Sequence, residues 1–149
     1  MTAVDKPPGA PAQSGPIAVY GATGFTGGLI ARELKRAGAE FLIAGRDRGK
    51  LEALSAELGG VPAAAVSLDD QAGLREMLEP CSVVVACAGP FSLHGEPVVA
   101  AAVETGTHYL DTTGEQGFMR MVSIAMAIAP LRMTPRLSPG WDSTICPAT

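Results

Sequence analysis

Short apolar runs of four or five residues alternate along this chain with segments whose apolar positions recur every three or four residues. The runs read as core strands and the periodic segments as amphipathic helices. Ile17 to Tyr20 predicts a first strand, and Gly24 to Ala37 a helix with Phe25, Leu29, Ile30 and Leu34 as its core stripe. Gly38 is its expected stop. Glu40 to Ala44 predicts a second strand, followed by Asp47 as an N-cap and a helix spaced by Leu51, Leu54 and Leu58. Ala63 to Val66 predicts a third strand, after which Ser67 to Asp70 cap a helix carrying Leu74, Met77 and Leu78. Ser82 to Ala86 predicts a fourth strand, buried throughout. Glu96-Pro97 opens a helix with Val98, Val99, Ala102 and Val103 inward, and Gly106 ends it. Thr107 to Asp111 predicts a fifth strand, with Thr112 to Glu115 as a turn.

Five alternations of strand and helix predict an α/β fold with a doubly wound parallel sheet of Rossmann type, built as a single domain. Ligands of such sheets lie outside the carboxyl ends of the strands. On this scheme residues 1–16, rich in Pro, Gly, Ala and Ser, form a flexible tail. The domain proper is residues 17–117. Phe118 to Ala129 is a Met- and Ala-rich run expected as one helix, and Pro130 to Thr149 carries four prolines.

The strand ends hold the candidate chemistry. Gly21, Gly24 and Gly27 stand three apart between a strand and a helix, a GxxGxxG variant of the dinucleotide fingerprint. The first permits a tight exit from the strand, the second lets backbone approach a pyrophosphate, and the third lets the helix pack closely on the sheet. The segment Gly21, Ala22, Thr23, Gly24, Phe25 and Thr26 is therefore expected to hold the pyrophosphate on the amides of a helix N-terminus. An NAD site ends its second strand with Asp or Glu, whereas this chain has Gly45, which leaves room, and Arg46, a planar cation suited to a 2′-phosphate. That points to NADP, with a solvated surface arginine as the alternative for Arg46. Asp69 is placed to accept from the adenine amino group, and an N-cap role for Asp69 or Asp70 stays open beside it. Ala88, Gly89, Pro90 and Phe91 follow the fourth strand: the small residues let the cofactor pass, and Pro90 and Phe91 offer a wall for the nicotinamide.

Composition narrows the setting. The chain has 149 residues, 47% apolar and 17% charged, enough for one folded core. A formal charge of −4 gives no support to a nucleic-acid surface. No apolar run is long enough to span a bilayer, and the N-terminus lacks a basic-then-apolar signal pattern. Cys81, Cys87 and Cys146 show no metal-ligand spacing with His94 or His108, so no metal site is expected and the thiols read as reduced, in a cytoplasmic protein.

Tyr-Gly-Ala-Thr-Gly-Phe-Thr-Gly from Tyr20, then Ala-Gly-Arg from Ala44, then Ala-Gly-Pro-Phe from Ala88, then Gly-Thr-His-Tyr-Leu-Asp-Thr-Thr-Gly-Glu from Gly106 resemble the saccharopine dehydrogenase-like reductases, with the nearest likeness to the branch of trans-acting enoyl reductases. The resemblance covers about Pro16 to Gly117. It implies an NADP-binding Rossmann domain, hydride-transfer chemistry and a separate substrate and dimerisation domain. It also places Gly21 to Thr26, Arg46 and Ala88 to Phe91 on cofactor-contacting segments. After Gly117 the chain departs from the pattern, with Gly140-Trp141-Asp142-Ser143 a faint echo of a Gly-Phe-Asp-Ser segment, and the second domain is expected to be absent. A natural short relative, a truncation and a frame-disrupted gene all fit. The face such a domain would cover invites self-association into a homo-oligomer.

Catalytic residues stay unassigned. Tyr20 and Tyr109 are followed four residues on by Gly24 and Thr113, so the Tyr-Lys pair of short-chain dehydrogenases is excluded. His94, His108, Asp111 and Glu115 are the titratable groups expected nearest the nicotinamide, each favoured in a structural role: Asp111 bracing its turn, His94 on an exposed loop. Two classes fit: the cofactor-binding portion of an NADP-dependent oxidoreductase acting on a lipid-like enoyl or keto group, or a non-enzymatic NADP-binding or interaction module. In either case the chain alone is expected to bind the dinucleotide with little or no turnover.

Overall fold

A computed structural model describes residues 15–128 of the chain. The elements are β1 (Ile17–Tyr20), α1 (Phe25–Arg36), β2 (Phe41–Gly45), α2 (Arg48–Glu57), β3 (Ala63–Ala65), α3 (Gln71–Leu78), β4 (Val83–Ala86), α4 (Phe91–His94), α5 (Glu96–Thr105), β5 (His108–Asp111) and α6 (Gln116–Ile128). The five strands are parallel, in the order β3-β2-β1-β4-β5. From β1 the chain steps outward to β2 and β3, then crosses to β4 on the other side of β1. The order therefore reverses between β1 and β4, and that opens a crevice at their carboxyl ends. The expectations for residues 1–14 and for Pro130 to Thr149, including Cys146 and Gly140 to Ser143, fall outside the described residues.

Register sorts the side chains into two layers. Ala18, Leu42, Val84 and Tyr109 are aligned, as are Tyr20, Ala44, Ala86 and Asp111. This face packs on Leu74, Met77 and Leu78 of α3 and on Val98, Val99, Ala101 and Ala102 of α5, with Phe91 and Phe118 completing the layer. On the opposite face Val19, Phe41 and Ile43 meet Ala31 of α1 and Leu51, Leu54 and Leu58 at α2. The one fully buried polar side chain among the described residues, Thr107, is satisfied by donating to the Leu78 carbonyl at 3.0 Å.

Two elements differ from the pattern expected of them. In α1 the buried residues are Gly27, Gly28 and Ala31, while Phe25 and Leu29 are 85% and 49% exposed. A helix this close to the sheet brings only small residues to the contact itself, so Phe25 and Leu29 splay to the flank, while Ile30 and Leu34 pack, partly buried, against the core as expected. Strand β4 is not buried throughout: Val84 and Ala86 are, but Val83 and Val85 are half-buried and belong to neither core. They share a face with Leu110, and the helices on that face, α1 and α2, lie over the β1–β3 half of the sheet.

The approach of α1 is set at Gly27. A Cβ there would collide with the Gly21 carbonyl and lie 2.8 Å from the Ala22 Cα, whereas at Gly28 it would meet the flexible tip of Arg32 at 3.0 Å and the Ala22 carbonyl at an ordinary 3.5 Å. Gly27→Ala should therefore destabilise the fold by about 1–3 kcal/mol through overpacking. Gly28→Ala should be neutral or stabilising, since alanine is the better helix former by about 1 kcal/mol. Urea unfolding midpoints of the two variants measure this, and equal losses would contradict it.

Candidate functional site

A cavity of about 250 Å³ opens at the carboxyl ends of β1, β2 and β4. Its floor is the turn from β1 into α1. Gly21 adopts φ +82°, a left-handed conformation that glycine takes without strain. Its N–H and that of Ala22 both donate to the Ala44 carbonyl, at 2.8 and 3.2 Å, which bends the strand exit towards β2. A Cβ on Gly21 would lie 2.8 Å from the Ala88 nitrogen, so the turn also needs glycine to lie against the segment after β4.

This turn delivers α1 with an uncapped start. Its N-cap is Gly24, which has no side chain to offer, and the first turn holds no acidic residue. The N–H groups of Thr23, Phe25 and Thr26 meet no acceptor among the described residues. By contrast Asp47 caps α2, accepting from the Lys50 N–H at 3.0 Å, and Asp70 caps α3, accepting from the Gly73 N–H at 2.9 Å. A helix start with free donors and the positive end of the dipole behind it suits an anion. There is room for one: a Cβ on Gly24 would meet only the Gly21 carbonyl, at 3.4 Å, and one on Gly45 nothing closer than Leu51 Cδ2 at 3.9 Å. These residues fit a dinucleotide pyrophosphate.

The structure gathers many of the predicted residues. Gly21, Thr23, Gly24, Gly45, Arg46, Ala88 and Gly89 all line the cavity. Ala22 is buried beneath the turn, and Phe25 and Thr26 stand exposed on the first turn of α1, outside the lining. Arg46 is exposed and pairs with no carboxylate among the described residues. Of the two acids before α3, Asp70 makes the cap, which leaves the exposed Asp69 carboxylate without a hydrogen bond among the described residues, next to Leu68 of the lining. Pro90 is exposed at the start of α4, while Phe91 turns into the core against Phe118, ring centres 5.7 Å apart.

Three residues reach the cavity that sequence patterns did not assign to it, Tyr20, Leu68 and Cys87, and His94, expected near the nicotinamide, lines it as well. Tyr20 donates its hydroxyl to the Val66 carbonyl at 2.9 Å, tying the end of β1 to the loop after β3. Burial raises its pKa, with Arg46 opposing and Asp69 adding, so both charges act on this strand end. His94 is not on an exposed loop but half-buried as the last residue of α4. His108 starts β5, level with Val83 and Ile17 at the amino edge of the sheet. A strand length, roughly 10 Å, thus separates it from the carboxyl ends. Asp111 braces its turn, accepting from the Thr113 N–H at 3.1 Å. Among the described residues no cluster of His, Cys, Asp and Glu could hold a metal ion, and no helix is long and apolar enough to cross a membrane.

Comparison with known proteins agrees with this geometry. The model of the saccharopine dehydrogenase NADP binding domain matches residues 17–132. A trans-acting enoyl reductase of Mycobacterium ulcerans is 36% identical over 110 residues, covering 70% of this chain and 26% of that protein. A human saccharopine dehydrogenase-like oxidoreductase is 30% identical over 129 residues, covering 72% of this chain and 29% of that protein. Among solved structures, apo saccharopine dehydrogenase (L-Glu forming) from Saccharomyces cerevisiae superposes with a TM-score of 0.65 at 20% identity, covering 76% of this chain and 25% of that one. The chain spans about a quarter of the length of these proteins. It belongs to the saccharopine dehydrogenase NADP-binding family, and its cofactor is NADP.

Cys87 is the one nucleophilic thiol on the lining. Burial first, and then the charge of Asp111, push it up to about 11. It is therefore protonated at neutral pH and inert as a nucleophile. Peptide mapping after iodoacetamide treatment should find Cys87 alkylation slow at pH 7 and rising about tenfold per pH unit through pH 9. A rate that levels off by pH 8.5 would contradict this.

Proposed function

We propose that this member of the saccharopine dehydrogenase NADP-binding family holds NADP(H) across the crevice between β1 and β4. On this reading it is the cofactor-binding portion of a reductase acting on an enoyl or keto group of a lipid-like substrate. The observation that carries the reading is the convergence on one cavity of an uncapped helix start and an arginine at the end of β2 that pairs with no carboxylate among the described residues. The free amides at the α1 start hold the pyrophosphate. Gly45 makes room for the adenosine ribose and Arg46 pairs with its 2′-phosphate, with Asp69 beside the adenine. Ala88 and Gly89 let the cofactor pass towards the end of β4, where Pro90 borders the nicotinamide.

When bound, NADPH supplies a hydride; the chain supplies position and a surface that excludes water. The cavity lining places no carboxylate at that point and keeps its thiol protonated, so the thiol does not compete for the hydride's acceptor. An enoyl substrate is supported by the name of the M. ulcerans relative, trans-acting enoyl reductase. The chain spans about a quarter of that protein, and on this reading the residues that choose the substrate lie outside the described site. The free thiols Cys81 and Cys87 are in keeping with a cytoplasmic setting.

Arg46 separates the two nicotinamide cofactors. Removing a charge-assisted, two-pronged phosphate contact costs about 1.5–3 kcal/mol, roughly ten- to a hundredfold in affinity. Titration calorimetry should show Arg46→Ala losing that much for NADPH and less than about threefold for NADH, which has no 2′-phosphate. Equal losses for both would sink the assignment of Arg46.

A further inference from the structure

One helix start near the cavity is capped from a distance. Pro90, the N-cap of α4, has no side-chain oxygen, and α4 has no cap of its own. Its first two amides are met instead by a residue 24 positions later: the Phe91 N–H donates to Glu115 Oε1 at 2.7 Å and the Ser92 N–H to Oε2 at 3.0 Å. Glu115 is itself held. Its N–H donates to the Thr113 hydroxyl at 3.0 Å, and the Thr113 N–H donates to Asp111 Oδ1 at 3.1 Å. A chain of hydrogen bonds therefore runs from the end of β5 to the segment after β4.

That segment is a wall of the cavity. Ala88 and Gly89 line it just before α4, and His94 lines it from the last residue of α4. Because α4 is a single turn, with the Leu93 and His94 amides both donating to the Pro90 carbonyl, moving its start moves His94 with it. Behind the wall, Phe91 packs on Phe118, and a Cβ on Gly95 would collide with the Phe118 ring, so the turn cannot retreat into the core.

We propose that Glu115 is a positioning residue. Its two carboxylate oxygens fix the Ala88–His94 wall and so align the nicotinamide half of the bound cofactor, without touching the adenosine half. The assignment rests on the cofactor reading given above. Arg46 at the end of β2 anchors one half of the dinucleotide, which places the other half towards β4 and this wall. Hydrogen bonding from Ser92, then from the Phe91 amide, also holds the Glu115 carboxyl below the usual carboxylate range, so both oxygens accept at neutral pH.

The test separates the two halves of the ligand. NADPH and adenosine 2′,5′-bisphosphate are each titrated against the wild-type chain, Glu115→Gln and Glu115→Asp, after a cooperative thermal transition confirms that each is folded. Gln keeps one acceptor and loses the charge, and Asp keeps the charge but falls a methylene short. The expected result is that both variants bind the bisphosphate within about twofold of wild type. They should bind NADPH about tenfold more weakly, with Asp the milder, and should lose part of the nicotinamide fluorescence increase on binding. Equal changes for both ligands, or no change for either, would overturn the role of Glu115. Failure of the wild-type chain to bind the bisphosphate would instead bring down the cofactor reading, and this inference with it. Should Glu115→Gln not fold, the same split in Glu115→Asp decides the matter.

Discussion

The contact between the Gly21 carbonyl and Gly27 sets the site. It leaves no space for a Cβ and brings α1 down onto the exit of β1. From that contact follow the burial of Gly28 and Ala31, the outward turn of Phe25 and Leu29, and the aim of the helix axis at the crevice. The amides of Thr23, Phe25 and Thr26 are then presented together, with no acceptor among the described residues. Asp47 and Asp70 cap α2 and α3 and Glu115 meets the start of α4, whereas α1, like α5, has a glycine N-cap with no side-chain hydrogen bond; of these N-caps it is Gly24 that lies on the cavity lining. It is where the polarity of the helix is left for a ligand anion.

Around that point, charge and burial divide the work by side of the sheet. The β2 side carries Arg46 and Asp69, neither of which has a side-chain partner among the described residues. The β4 side carries small residues, a thiol kept protonated by burial, and a one-turn helix clamped by Glu115. A charged end and an uncharged end of small residues suit the two halves of NADP, whose 2′-phosphate lies on the adenosine side and whose reactive ring lies on the other.

Much of this is legible in the sequence because the signals are local. The strands fall within a residue or so of their apolar runs, and Asp47 and Gly106 end up as the caps their types suggest, Gly106 at φ +69°. Arg46 stands out because the residue type normally ending that strand in an NAD site is missing. What was illegible depends on distance or on small residues. Periodicity counts large apolar side chains, so it placed Phe25 and Leu29 in the core although α1 packs through glycine and alanine. A single turn such as α4 has no period to detect, which is why His94 read as loop. The Glu115 cap joins residues 24 apart, and no spacing rule along one helix can find it. The half-burial of β4 reflects which helices lie over it, a property of the assembled sheet.

On the proposed reading the α1 amides and Arg46 bind one molecule of NADP between them. Backbone ¹H–¹⁵N shift mapping during titration with NADPH tests it most directly. The largest perturbations should fall together on Gly24, Phe25, Thr26 and Arg46, with one shared dissociation constant. Perturbations centred on α6 or the α2–β3 side, or none at saturating NADPH, would contradict it.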